Sequence, residues 1–299
     1  MADVLFDAEF LASLPRFLTP LLLAGLGGAL CEHAGVFNIA LEGMMLAGAF
    51  AAVAGAFFAG SPYAGALAAA AAGAAMGLVF AEFHLRRGGD PIVVSIAINL
   101  LAAGLTAFLL RRIFGVSGSF DSAAIAGFAP VPIPLVADIP VAGPVVAGQS
   151  PLFYLACLAV PALQLFFGRH RLGLRMRAAG DNPDGLAAVG VKVANVRLIA
   201  LLGCGVLCGL AGAQLSIANV SLFVENMSAG RGFIAVVAVL LTRGRPWPLL
   251  FVTALFGMVD SLSVRMQGIG MPQQFTDMMP YLATLAVLTL MSARLRGRS

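Results

Sequence analysis

Charge is what this sequence has least of. Only 11% of its 299 residues are Asp, Glu, Lys or Arg, against about a quarter in an ordinary soluble domain. With 60% apolar residues and a mean hydropathy of +0.97, the chain cannot clothe itself in a soluble surface. That excludes a soluble globular protein and points to one that crosses a membrane several times. Lysine is nearly absent: Lys192 is the only one, and Val193 follows it. A phosphate-cradling P-loop needs Gly-Lys followed by Ser or Thr, so the sequence carries no nucleotide site of that kind. Histidine is scarce too. His33, His84 and His170 are scattered, and no HExxH or GxSxG pattern occurs, which leaves an intramembrane hydrolase unsupported. The four cysteines, Cys31, Cys157, Cys204 and Cys208, lie in or beside apolar runs. Cys204 and Cys208 share a helix face, but no His or further Cys joins them to make a metal site, and they read as small packing residues. The start, "MADVLFDAEF", lacks a basic region and is acidic, so the first apolar run is expected to be a permanent span and not a cleaved signal.

Long apolar runs are plentiful. A helix needs about 20 apolar residues to cross the hydrocarbon. Runs of that kind cover 11–31, 38–60, 62–85, 91–114, 150–168, 194–217, 248–266 and 275–293, and a shorter one, 231–242, sits between glycines. The fold class expected is all-α: one transmembrane domain over 1–299, a helical bundle of about 8–10 spans. The net charge of +4 does not signal nucleic acid, because the basic residues sit between spans. Arg86, Arg87, Arg169, Arg171, Arg175, Arg177, Lys192, Arg197, Arg243, Arg245, Arg294, Arg296 and Arg298 fall in four regions, 13 of the 18 Lys and Arg. The positive-inside rule makes those regions and the C-terminus cytoplasmic, and the N-terminus external. Arg16, Arg111, Arg112, Arg231 and Arg265 then lie at outer ends, with the Arg111–Arg112 pair fitting worst. The connection 115–149 faces outward. Its Pro130, Pro132, Pro134, Pro140 and Pro144 predict extended or turned backbone.

The polar island "RMRAAGDNPDGLAAVGVKV", residues 175–193, interrupts this pattern on the cytoplasmic side, within a connection 169–193. Asp181 or Asn182 can cap a helix, Pro183 suits its first position, Asp184 complements its positive end and Gly190 stops it. The spacing predicts a helix of about two turns with an apolar stripe at Leu186, Ala187, Ala188 and Val189. So short a helix is marginal in water and needs a docking surface, which is either the bilayer and its own bundle or a groove on a partner.

The stretch "RAAGDNPDGLAAVGVKVANVRLIALLGCGVLCGLAGA" resembles the cytoplasmic loop and following span of ABC-importer permeases of the ribose, branched-chain amino acid and nucleoside branch. "GVFNIALEGMMLAGAFAA", "GRGFIAVVAVLLTRGRPWPLLFVTALFGMVDSL" and "DMMPYLATLAVLTLM" agree, and the Asn-Ile-x-x-Glu-Gly pattern is most similar to nucleoside (purine-type) permeases. The resemblance covers most of the chain and is weakest over the first 15 residues and 115–149. It implies that 178–190 is a coupling helix seated in a cleft of a separate ATPase, with Gly180, Asp181, Asn182, Pro183, Asp184, Leu186, Ala187 and Gly190 as the contact residues. It implies further a multi-pass protein of the bacterial inner membrane, in contact with lipid. Its partners would be the ABC ATPase, a second permease (a related but different one, with a second copy of this chain as the alternative) and an extracytoplasmic substrate-binding lipoprotein, with no nucleic acid. No cofactor is expected on this chain, ATP and Mg being held by the ATPase. A sugar or a branched-chain amino acid is the alternative cargo, and a stand-alone ion-coupled transporter is the rival class.

Polar groups inside spans face the bundle interior or a pathway. Asn38 and Glu42 lie one helical turn apart just after Gly35, Asn99 is mid-span with Ser95 one turn before it, and Asp260 lies in a later span. Phe37 and Phe233 offer flat apolar surfaces of the kind a nucleobase stacks on. Asn38, Glu42, Asn99, Phe37, Phe233 and Asp260 are the candidate pathway residues; for Asn38 and Glu42 a capping role competes with cargo contact. "GVFNIALEGMM" and "GRGFIAVVAVL" share Gly, Ile and Ala at equal spacing, a weak internal pseudo-repeat of two interrupted helices.

Overall fold

The structure is a computed structural model that describes residues 8–132 and 145–268, with Met278, Met279, Leu282 and Thr289 besides. The helices are α1 (Ala8–His33), α2 (Leu41–Ala59), α3 (Pro62–Ala81, continued by a π-helical turn Glu82–Arg86), α4 (Pro91–Phe114), α5 (Pro151–Arg169), α6 (Arg171–Asp181), α7 (Pro183–Ala188), α8 (Val193–Ala213, continued by a π-helical turn Gln214–Ala218), α9 (Arg231–Thr242) and α10 (Pro246–Gly268). Among the described residues seven of them are long and apolar enough to cross a membrane, and α9 is the short apolar exception. The expected span 275–293 lies outside the described residues apart from four helical positions.

Local chemistry sets the helix starts. Asp90 accepts from the Ile92 and Val93 amides, Ser150 from Phe153 and Asn182 from Gly185, and in each case proline occupies the first helical position. Chain direction then sorts the two ends of the bundle. The turn joining α3 to α4, the segment α6–α7 and the turn joining α9 to α10 lie at one end. At the other, β1 (Ser119–Asp121) pairs antiparallel with β2 (Leu222–Val224), Phe120 opposite Phe223. Of the proline-rich connection, Val131 bridges to Gln149, while residues 133–144 fall outside the described ones.

The segment before α7 differs from the expected loop. Residues 171–181 are helical, and α7 is six residues, shorter than two turns. The arginines hid an apolar stripe: Gly173, Met176 and Ala179 are buried, and Gly173 lies against the Phe166 backbone.

Without water to drive apolar helices together, membrane packing depends on close approach. The centre of the bundle is α8, packed on α3, α2 and α1. A Cβ on Gly205 would fall on the Gly73 carbonyl, and one on Gly209 on the Ala69 carbonyl, so backbone touches backbone along the α3–α8 seam. By contrast, a Cβ on Gly104 of α4 meets nothing within 4 Å. We expect Gly205→Val to remove most of the folded protein from the membrane fraction and Gly104→Val to leave it near wild type. Detergent-solubilised yield and fluorescence-detected gel filtration would measure both, and equal yields would contradict this packing.

Candidate functional site

At about 1.5 Å per residue, the 12 residues of α9 reach about 18 Å, well short of the ~30 Å hydrocarbon core. One of its ends must therefore lie at membrane depth. Its C-terminal end sits beside α1, where a Cβ on Gly244 would come within 2.9 Å of His33 Nδ1. Its N-terminal end is the interior one, and the amides there have no intrahelical acceptor.

Glu42 supplies the acceptors. Its Oε1 receives the Ser228 hydroxyl at 2.6 Å and the Gly230 amide at 2.8 Å, and its Oε2 receives the Gly232 amide at 2.7 Å. The carboxylate is 7% exposed. Gly232 is necessary because a Cβ there would collide with the Glu42 backbone. Beside this seal, Arg231 Nε donates to Asp260 Oδ2 at 3.2 Å, tying α9 to α10.

The start of α2 is closed from other elements as well. After α1 ends, Gly35 (φ +68°) turns the chain, and the segment to Ala40 is not helical. Backbone of this kind survives at membrane depth only where protein satisfies it. Ser95 Oγ accepts from Ile39 N at 3.1 Å, Asn38 Oδ1 from Ala40 N at 2.8 Å and Asn99 Oδ1 from Gly43 N at 2.8 Å. Asn99 Nδ2 returns a bond to the Ile39 carbonyl at 3.2 Å, and Asn38 Nδ2 rests on Cys204 Sγ at 3.4 Å and Cys31 Sγ at 3.7 Å. Asn99 stands about 12 Å along α4 from its first residue at 1.5 Å per residue, so α2, like α9, begins inside the bundle.

The structure therefore gathers Asn38, Glu42 and Asn99 around two interior helix starts, with their polar atoms bonded to protein. Asp260 joins through Arg231, whereas Phe37 and Phe233 are exposed. Ser228 and the Arg231–Asp260 pairing had no sequence signal; both depend on which elements meet. On α6 and α7, Leu186 is buried, while Gly180, Asp181, Asn182, Asp184, Ala187 and Gly190 are exposed and Pro183 is half-buried.

Gly180 also touches the site's entrance. A Cβ on Gly35 would lie 2.9 Å from Gly180 Cα, Arg197 Nε holds the Ala34 carbonyl at 3.2 Å, and the His33 ring stacks on Phe167 at 4.0 Å. A continuous run of contacts thus leads from α6–α7 through the Gly35 turn to the two interior helix starts.

Two larger concavities differ in chemistry. One, of about 650 Å³, lies between α2, α3 and α4, walled by alanines with Phe50 and Phe58; the hydroxyl of Thr106 in its lining donates to the Ala102 carbonyl, which leaves the cavity almost wholly apolar. The other, of about 460 Å³, lies at the β1–β2 end and includes Arg16, Asn219 and Arg231.

An apolar bundle with interior helix starts and an exposed capped helix at one end defines a multi-pass membrane protein. The chain belongs to the family described as branched-chain amino acid transport system / permease component, whose pattern matches residues 10–288. It is 33% identical to the nucleoside ABC transporter permease protein NupC of Lactococcus lactis, over 93% of this chain and 90% of that one. It is 32% identical to the guanosine ABC transporter permease protein NupQ of Bacillus subtilis, over 91% and 88%. It is also 33% identical, over 95% and 92%, to TsgC13 of Haloferax volcanii, provisionally named a glucose ABC transporter permease. The fold is shared with a solved ABC transporter provisionally assigned to the metal-chelate type, at TM-score 0.53 and 15% identity over 98% of this chain and 88% of that one. The chain is thus a permease subunit of an ABC transporter, a family that works with an ATPase and substrate-binding partners.

Removing Glu42 would leave the Ser228 hydroxyl and the Gly230 and Gly232 amides without acceptors, at about 1–3 kcal/mol for each group that stays buried. We expect Glu42→Ala and Glu42→Gln to lower the melting temperature of the solubilised protein by several degrees, and Phe233→Ala to change it little. An unshifted Glu42→Ala would remove the seal from the account.

Proposed function

We propose that the chain is half of the pathway of an ATP-driven importer for nucleosides. Support for coupling comes from one observation: the contact run from α6–α7 to the Gly35 turn. The α6–α7 end faces the cytoplasm in this reading, since the basic loops gather there. The described ones are Arg86, Arg87, Arg169, Arg171, Arg175, Arg177, Lys192, Arg197, Arg243 and Arg245. The ATPase, which holds ATP and Mg, receives the exposed Gly180–Asn182, Asp184, Ala187 and Gly190 with half-buried Pro183 in its cleft, whereas Leu186, expected as a contact residue, is buried in this chain's own core and anchors α7 to the bundle. This chain, lacking a P-loop lysine, binds no nucleotide of its own. A substrate-binding lipoprotein delivers cargo at the β1–β2 end, and a second, different permease supplies the other half of the path.

The mechanical step follows from packing. A displacement of α6 meets the Gly35 turn backbone to backbone, with no flexible side chain between them to absorb it. The turn leads into the segment held by Ser95 and Asn99, and Glu42 carries the motion into α9. An ion-coupled transporter would need a buried carboxylate free to exchange its proton. Here both Glu42 oxygens are occupied, Asp260 is paired with Arg231, and Glu82 is paired with Arg86 and Arg87.

Glucose is the second reading, supported by the likeness to TsgC13. Uptake of labelled guanosine and glucose by cells expressing the complete transporter separates the two: guanosine uptake uncompeted by glucose supports the first, the reverse the second. For coupling, a side chain at Gly180 would strike the His33 carbonyl, and Asn182→Ala removes the α7 cap at about 1 kcal/mol. We expect Gly180→Leu and Asn182→Ala to cut uptake per ATP hydrolysed several-fold while the complex still assembles. An unchanged ratio in both would sink the coupling role.

A further inference from the structure

The 460 Å³ cavity at the β1–β2 end is bounded by α1, the π-helical turn 214–218, β2 and the start of α9. Its size falls within the range of small-molecule sites. Its hydrogen-bonding character is one-sided. The Arg16 side chain is exposed and has no hydrogen bond or ion pair among the described residues. Arg231 commits Nε to Asp260 and Nη1 to the Met227 carbonyl, at 3.2 and 3.5 Å, leaving Nη2 unused among the described residues. Asn219, the remaining polar side chain of the lining, is held by the protein: its Oδ1 accepts from Gln214 Nε2 at 2.9 Å, and its Nδ2 donates to the Arg16 carbonyl at 3.2 Å. Phe17 and Met227 supply apolar wall. The cavity therefore offers donors beside a flat ring and asks its occupant for acceptors.

Among nucleobases that demand is selective. A 6-oxopurine presents O6 and N7 side by side, the pair a guanidinium fork bonds bidentately. A 6-aminopurine presents N7 beside an N6 donor, which would face the guanidinium donor to donor. Stacking on Phe17 suits either base and does not discriminate.

We propose that this cavity recognises the 6-oxopurine base of a nucleoside, with Arg16 reading the O6–N7 edge. The proposal rests on the nucleoside reading above and adds to it a discrimination made by the permease itself. The test is uptake of labelled guanosine and adenosine by cells carrying the complete transporter, with the same binding protein throughout. Wild type and Arg16→Ala, Arg16→Gln and Arg16→Lys variants are normalised to membrane-inserted permease. The guanosine-to-adenosine uptake ratio is expected to fall roughly tenfold in the Ala and Gln variants, within what a bidentate arginine–guanine pair is worth. The Lys variant, a single-point donor, should fall between. An unchanged ratio in the variants that insert, or an equal loss of both substrates, overturns the proposal. A wild-type transporter that moves neither nucleoside overturns the nucleoside reading instead. If Arg16→Ala fails to insert, Arg16→Lys and Arg16→Gln decide.

Discussion

The carboxylate of Glu42, set against the first amides of α9, is the interaction on which the interior of this permease depends. A twelve-residue helix that starts inside a hydrocarbon layer leaves first-turn N–H groups for which the protein must supply acceptors. An acceptor must come from another element, and a negative one also complements the positive end of the helix. Because Glu42 sits in the first turn of α2, the acceptor that closes α9 is part of a second helix that also begins inside the bundle. The two starts are thereby joined, and neither can shift alone without exposing buried donors.

That joint explains the placement of other side chains. Ser95 and Asn99 lie one turn apart on α4 and accept from the Ile39 and Gly43 amides, at a helix start where the capping position, Ala40, has no polar side chain. Gly232 is small because the Glu42 backbone lies against it, and Gly180 because it meets the chain at the Gly35 turn. Small residues and polar caps are two answers to one constraint: in a membrane, backbone may leave the helix only where other protein backbone or side chain comes close enough to replace water.

Length and hydropathy were enough to place the seven described spans, because a twenty-residue apolar run in a membrane has few alternatives to helix. The cap of α7 was legible to within one residue, Asp181 or Asn182 before Pro183, and the structure uses Asn182. The helix 171–181 was not, since four arginines in and beside it outweighed the stripe of Gly173, Met176 and Ala179. Of the interior site, the polar residues themselves stood out as unusual in apolar runs, but their partners did not. Ser228 is 186 positions from Glu42, and only the folded bundle brings them together. The shared Gly, Ile and Ala of residues 35–45 and 230–240 hinted that these segments correspond; that they touch is a fact of tertiary packing.

The same reasoning separates two tasks that a transport protein must keep apart. Asn38, Glu42 and Asn99 spend their hydrogen bonds on protein, mostly on backbone with the Ser228 hydroxyl and two cysteine sulfurs besides, so under the proposed function they would offer passing cargo little to hold. Weak interior binding favours passage, because a pathway that held its cargo tightly would release it slowly. Donors left unspent lie instead at the β1–β2 end, on Arg16 and on one arm of Arg231. Arg231 stands at both places, its backbone opening α9 and its side chain bordering the cavity, paired to Asp260. An occupant of the cavity that drew on the spare Nη2 of Arg231 would pull on the same guanidinium whose Nε holds Asp260, and that pair ties α9 to α10. Occupancy at this end would then bias the same helix that Glu42 links to α2 and, through the Gly35 turn, to α6. Under the proposed function, α9 is the helix on which cargo at the β1–β2 end and the coupling segment would both act, and its shortness, with an interior start closed by a carboxylate, is what would make it available to both.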